Sequence, residues 1–445
     1  MLSRLVAAAL LSVPYLCAQI LPGHALVCWR ATGGGGVRMV TPAGGVQDLQ
    51  GLAPATLGTS KLDGAQCVFI RNDGLVFVGL GIDNSLGSTA VPLEMRRILA
   101  TGGAVLFDLP HAALWTVPAG ESWRATDIKE RSDGSLLVAL TQTNVATPKV
   151  AAVLVDKNSI VVPIPLPILP AGALVGVADA GDRFVGVFER TSPTLDYEVM
   201  SIPYVQSALA PYRVFLFANT PRFGGIDVDA DEKTLILAVG YQACGVVRLA
   251  HQANSTPVTV PNTPSGIGPA CIVPGSAEVM ALDPPSVIAS GIYRCDYAKG
   301  ATTTWTATVV ANPVHVGVRR DPELYGKGSS QSGVLAWLAG QGGQPRVGNQ
   351  AFVLRVGGKS GGLCGIFAST QRGNFPLPFG TVLIGPAPIL GLATVSLGNA
   401  GRATVALPIP NDPGLVGGLL VMQSAVIDPV TTTIDLSRGL DLVVY

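Results

Sequence analysis

Charge is scarce in this chain. Only 13% of its 445 residues are Asp, Glu, Lys or Arg, and 29 basic side chains balance 29 acidic ones. That share is about half the usual for a globular domain, and a net charge of zero leaves no general field to draw nucleic acid or an anionic membrane surface. No nucleic-acid partner is expected. Histidine is almost as scarce, with four copies, and methionine has six. No two cysteines form a C-x-x-C and no His stands at ligand spacing from a Cys, so a zinc site is not expected, nor is any other cofactor. Runs long enough to cross a bilayer without proline are missing too. Ile160 to Ala178 and Phe375 to Ala400 carry no charge, but the first holds Pro163, Pro165, Pro167 and Pro170 and the second Pro376, Pro378, Pro386 and Pro388. Each proline removes a helix hydrogen bond that lipid cannot replace, so no transmembrane segment is expected in the mature chain.

What is abundant is apolar and turn-forming. Hydrophobic residues make up 48% of the chain, and there are 54 glycines and 34 prolines. A disordered chain needs few apolar residues and many charges, which excludes disorder. Many short strands with many turns use such a composition; long helices do not. The length suggests two domains.

Met1 to Arg4 places one positive charge ahead of the apolar run Leu5 to Leu16, the pattern of a secretory leader. Residues 1–18 are read as a signal peptide cut after Ala18, with cleavage after Ala25 as the alternative; Cys17 is read as a leader cysteine rather than a lipidation site. Export implies a secreted, extracellular or cell-envelope location. Six cysteines then remain, and an even number in an exported chain suggests disulfides. The favoured pairs lie inside the first large domain, such as Cys28 with Cys67, and Cys271 with Cys295 or Cys244.

From about residue 60 to 330 an Asp- and Gly-rich turn is followed again and again by a short β-forming run. The clear copies begin at Arg131-Ser-Asp-Gly, Asp179-Ala-Gly-Asp and Asp227-Val-Asp-Ala-Asp231, with another at Asn72-Asp-Gly and weaker ones at Pro274-Gly-Ser and Arg320-Asp-Pro. The first strand residues, Leu136, Phe184, Leu235, Val279 and Leu324, recur at the spacing of one four-stranded propeller blade. The segment 97–130 is irregular and reads as a degenerate blade or an inserted loop, and Val91 to Leu99 reads as a short helix. The turns resemble those of secreted bacterial β-propellers with D-x-D-G or P-D-G-K-x-L turns, loose relatives of the WD40-like and surface-layer repeats, although the Trp-Asp dipeptide of true WD40 repeats is missing. The resemblance implies a propeller, whose fold fixes no function.

Gly326 to Pro345, rich in Gly, Ser and Gln, reads as a linker with Trp337 pinning the junction. The strand-like runs beyond it, such as Ala351 to Val356, Ala403 to Leu407 and Leu419 to Val426, suggest a β-sandwich. Gly348-Asn349, Leu407-Pro-Ile-Pro410, Gln423, Asp428 and Leu436-Ser-Arg-Gly-Leu440 make this tail resemble a C-terminal module found on many secreted bacterial proteins of unassigned role. The expected fold is therefore all-β: a six- or seven-bladed β-propeller over residues 26–335, followed by a β-sandwich over 346–445.

No catalytic constellation emerges. Asp227, Asp229 and Asp231 resemble the start of a calcium loop, but Glu232 and Ala238 stand where Gly and Glu are needed. Gly358-Lys-Ser360-Gly-Gly362 spells G-x-S-x-G, yet no His follows His315, so no hydrolase triad can form in chain order. His111, His251 and His315 could converge at a propeller mouth, but the surroundings of His315 suit a strand residue with a satisfied ring. The five tryptophans suit blade packing more than sugar stacking. The resulting expectation is a monomeric, non-catalytic binding platform for an extracellular protein or carbohydrate. The alternative is an exported polysaccharide hydrolase or lyase with its site in the propeller funnel.

Overall fold

The computed structural model describes residues 24–444 except 32–33, 42–44, 52–55, 58–59, 72–74, 102–103, 167–170, 191–193, 206–209, 220–221, 243, 265–267, 283–291, 307–312, 319–321 and 387. The stretch read as a leader, with Cys17 and the cleavage position after Ala18, and the Asn72-Asp-Gly turn lie outside the described residues, whereas Ala25 of the alternative cleavage position begins a strand.

The chain is all-β, and the only helical pieces among the described residues are two 3₁₀ turns, Pro274–Ser276 and Pro413–Leu415. None of its described helices is long and apolar enough to cross a membrane. The first 25 strands form six blades. In blades 2 to 6 the chain starts at the axis and steps outward, as in blade 3: Ser122–Glu130, Leu136–Thr143, Val150–Val155, Val161–Ile164. The innermost strands of blades 2 to 6 are Ser60–Ile70, Ser122–Glu130, Ala173–Asp179, Phe223–Val228 and Ala270–Val273. Blade 1 is closed differently. Its three outer strands come from the start of the chain, beginning with Ala25–Ala31, and its innermost strand is Pro313–Val318, from the end of the ring. The six inner strands pack against one another in turn around the axis.

Blade packing explains why these strands read as unbroken apolar runs. A blade is covered on both faces, so both sides of its strands are buried. In Leu136–Thr143, Leu136, Val138 and Leu140 enter the core toward blade 2, whereas Leu137 and Ala139 enter the core toward blade 4. Leu136, Phe184, Leu235 and Val279 lie at or next to the start of the second strand of blades 3 to 6, so the repeat marks four blades. Leu324 does not follow: Glu323–Tyr325 pairs with Gly439–Val443 in the tail.

Val91–Thr101 is a strand of blade 2 rather than a helix. Leu93 and Met95 are buried while Glu94 and Arg96 between them are not, a period of two, and the strand pairs along its length with Ala104–Val117. These two strands account for the irregular segment: blade 2 has unusually long outer strands.

The tail is a β-sandwich. One sheet runs Glu323–Tyr325, Gly439–Val443, Leu419–Ile427, Leu363–Ser369, Leu390–Ser396, and the other Trp337–Gln341, Val353–Gly357, Arg402–Ala406. Phe352, Leu354, Ile366, Met422 and Leu440 share the core between them. The stretch 326–345 is tied in: the buried Asp435 accepts hydrogen bonds from the Gln331 and Ser332 N–H groups, and Ser329 pairs with Leu436. Gln423, one of the residues carrying the tail's resemblance, braces Leu383, Thr381 and Ser437.

Candidate functional site: a stopped axial well and the groove beside it

The two mouths of the ring differ. At the carboxyl ends of the inner strands lie the repeated turns, with Asp side chains capping backbone N–H groups: Asp133 accepts from Ser135, and Asp231 from Lys233 and Thr234. The tail covers this mouth. Pro322, Glu323, Leu324 and Arg438 close over Asp179, Asp227 and Pro274, leaving a void of only about 30 Å³. Arg438 lies 3.5 Å from Glu232 of the blade 5 turn, and Gln341 lies 3.4 Å from Asp296 of blade 6. Burial pushes the carboxyls of Asp179, Asp229 and Glu232 above their ordinary range, with nearby guanidinium groups opposing.

At the amino ends of the inner strands the axis opens into a well of about 240 Å³, lined by Gln66, Arg124, Thr126, Glu189, Phe223 and His315 among others. Arg124 and Glu189 also line a larger groove of about 670 Å³ between blades 3 and 4, walled by the hairpin 141–148 and by 171–173. The groove presents Thr143, Asn144 and Thr147, and among the described residues its lining has no aromatic side chain.

Around the axis is a buried polar cluster with groups from blades 1 to 5. The Val68 N–H of blade 2 donates to His315 Nδ1 at 3.3 Å, which leaves the ring hydrogen on Nε2, 3.4 Å from Asp127 Oδ1 of blade 3. Asp127 also accepts the N–H groups of Ile128 and Val177. Lys129 Nζ stands 3.9 Å from Asp127 and 3.9 Å from Asp227 of blade 5. Burial pushes the Asp127 carboxyl up, but Lys129, His315 and the Val177 N–H outweigh it and hold it below its ordinary range. His315 thus ties the closing strand to blades 2 and 3, with both nitrogens engaged.

The candidate site residues read from the sequence are dispersed. Asp227 faces Lys129, Asp229 accepts the Tyr297 hydroxyl, and Asp231 caps its own turn, so the three carboxylates aim at different partners. Among the described residues no three His, Cys, Asp or Glu side chains gather as metal ligands. His111 meets Ser159 and the Phe77 ring on blade 2, and His251 meets Ser201, so the histidines do not converge. Ser360, in the turn that joins the two sheets of the tail, donates to the Gly398 and Asn399 carbonyls. Trp115 and Trp123 stack with ring centroids 5.4 Å apart, and no tryptophan lines the well or groove.

All six described cysteines are free thiols. Cys28 and Cys67 are fully buried in one core cluster. Cys271 and Cys295 stand opposite Met280 and Val279, neighbours on one strand that point to opposite faces of blade 6. A bridge between those two is therefore ruled out by the pleat.

Asp127, Lys129, Gln66 and Arg124 escaped the reading of the sequence because they belong to no motif. The available sign was two charges set two apart, Asp127 and Lys129, in a strand that begins a blade.

No protein-family model matches the chain, and no curated protein matches it by sequence. Among solved structures it is similar to TolB from Acinetobacter baumannii, at 10% identity and a TM-score of 0.43 over 71% of this chain and 70% of that one. It is also similar to a puromycin hydrolase, at 10% identity and 0.39 over 75% and 61%, and to a prolyl endopeptidase, at 13% and 0.35 over 80% and 57%.

Proposed function

We propose that this chain is an exported, non-catalytic binding platform that takes its partner on the open face, in the groove between blades 3 and 4. The supporting observation is the state of the axial cluster: His315 has both ring nitrogens occupied, and Asp127 and Lys129 are turned toward each other and Asp227. A general base must reach a substrate proton, and these groups are committed to holding the ring. The groove offers hydroxyl and amide groups beside Arg124 and Glu189 without an aromatic shelf, which suits a polypeptide segment better than a stacked sugar. The hydrolase or lyase alternative gains no support from this cluster.

The test is binding of the purified chain to peptide and glycan arrays, beside Arg124→Glu and Asp133→Lys variants. Loss of binding in the first and retention in the second is expected. Cleavage of a bound glycan or peptide would overturn the proposal.

A further inference from the structure

A cavity of about 480 Å³ lies on the covered side of the ring, in the joint between the blade 3 turn and the tail. Three stretches of chain wall it: Glu130 to Gly134 of the turn, Glu323 to Lys327 of the connecting strand, and Arg372 to Asn374 of the sandwich hairpin. Its size is that of a small-molecule cleft, and clefts where two domains meet are a common place for one. Two guanidinium groups are fixed in it. Arg131 lies 4.2 Å over the Tyr204 ring and pairs with Asp133 at 2.7 Å and Asp179 at 3.6 Å. Arg372 lies 4.2 Å over the Tyr325 ring and donates from Nε to Asp441 at 2.6 Å, with Nη2 on the same carboxylate. Its Nη1 donates to no group among the described residues, and 42% of the side chain is exposed. Lys327 is exposed and makes no ion pair among the described residues.

We propose that this cavity binds a small hydroxylated carboxylic acid of sugar size, such as a uronic acid, with its carboxylate on Lys327 and Arg372 and its hydroxyls on the carboxylates of the walls. The choice follows from the mixture of groups. A guanidinium already held flat on a ring and tied to a carboxylate loses little freedom on meeting a second anion, and its planar fork matches a carboxylate. Glu130, Asp133 and Glu323 stand in the same walls. An ionised carboxylate only accepts, and with several lone pairs it accepts further bonds even inside an ion pair, so these three call for hydroxyl donors. A simple anion without hydroxyls would meet them as like charges, and a neutral sugar would leave Lys327 without its acceptor. A hydroxylated acid meets both needs. The cavity lies at the opposite mouth from the groove, so neither proposal depends on the other.

Isothermal titration calorimetry of the full chain with glucuronate, glucose and succinate tests it, beside Lys327→Glu and Lys61→Glu variants. Glucuronate is expected to bind. Glucose, which lacks the carboxylate, and succinate, which lacks the hydroxyls, should each bind at least about tenfold more weakly, the scale of one charge-assisted hydrogen bond. Lys327→Glu changes an exposed side chain and should lose a similar factor, whereas Lys61→Glu, exposed at the open mouth, should bind as the wild type does. Hydrogen exchange supplies a reading free of variants: glucuronate should protect residues 324–327 and 372–374 and leave the strands of blade 5 unchanged. The proposal is overturned by no heat with glucuronate at millimolar concentration, by equal affinity for glucose or succinate, by undiminished binding in Lys327→Glu, or by protection confined to other segments.

Discussion

Lys129 Nζ lies 3.9 Å from a carboxylate oxygen of both Asp127 and Asp227, and all three side chains are largely buried. Replacing it with Met would take from two buried carboxylates the cation that stands 3.9 Å from each. Breaking a buried pair from one side costs about 3–5 kcal/mol, so Lys129→Met should lose stability on that scale in chemical denaturation, far more than an exposed Lys149→Met. The Asp127 carboxyl carries a pH signature with a definite sign. Its folded-state value lies below the ordinary 3.8, so its contribution is complete above that value and is lost as the pH falls through the lowered one. Asp127→Asn should therefore be less stable than wild type at pH 6, and the gap should close as acid protonates the wild-type carboxyl. Stability curves against pH for the two proteins check this.

At the scale of elements, the tail docks on the repeated turns through contacts that leave no room for a side chain. A Cβ on Gly275 would stand 1.9 Å from the Pro322 carbonyl oxygen, so Gly275→Ala must push the Glu323–Tyr325 strand away from the blade 6 turn. Hydrogen exchange in residues 323–325 should speed up in that variant while the strands of blade 3 keep their protection. Thiol chemistry belongs at this scale too. Because Cys271 and Cys295 point to opposite faces of one blade, peptide mapping of unreduced protein should find no bridge between them; Cys28 and Cys67, in one core cluster, are the pair to look for after oxidation. The turns that made the blades legible in the sequence are thus the surface the tail covers. Reading them as a feature of the free face would have looked on the wrong side, since nothing in an Asp-Gly turn says which end of the ring it closes.

For the whole molecule, the all-β class, the blade repeat and the sandwich tail were legible because each rests on local chemistry: turn residues, strand period and apolar content. The closure of blade 1 was not, since Ala25–Ala31 and Pro313–Val318 meet across almost the entire ring and no local pattern announces so distant a pairing. The axial well was illegible for a similar reason. Gln66, Arg124, Glu189 and His315 come from four blades, and only the ring brings them together. With the axial cluster holding that ring and the proposed binding on the open face, the two roles separate in one variant. His315→Gln should melt at a lower temperature, because the Val68 and Asp127 contacts across the closure are weakened. The measurement that tests this most directly is the melting temperature of His315→Gln taken beside its binding to the strongest array ligand of the wild type. A lowered melting temperature with binding retained is predicted; an unchanged melting temperature with binding lost would contradict the account.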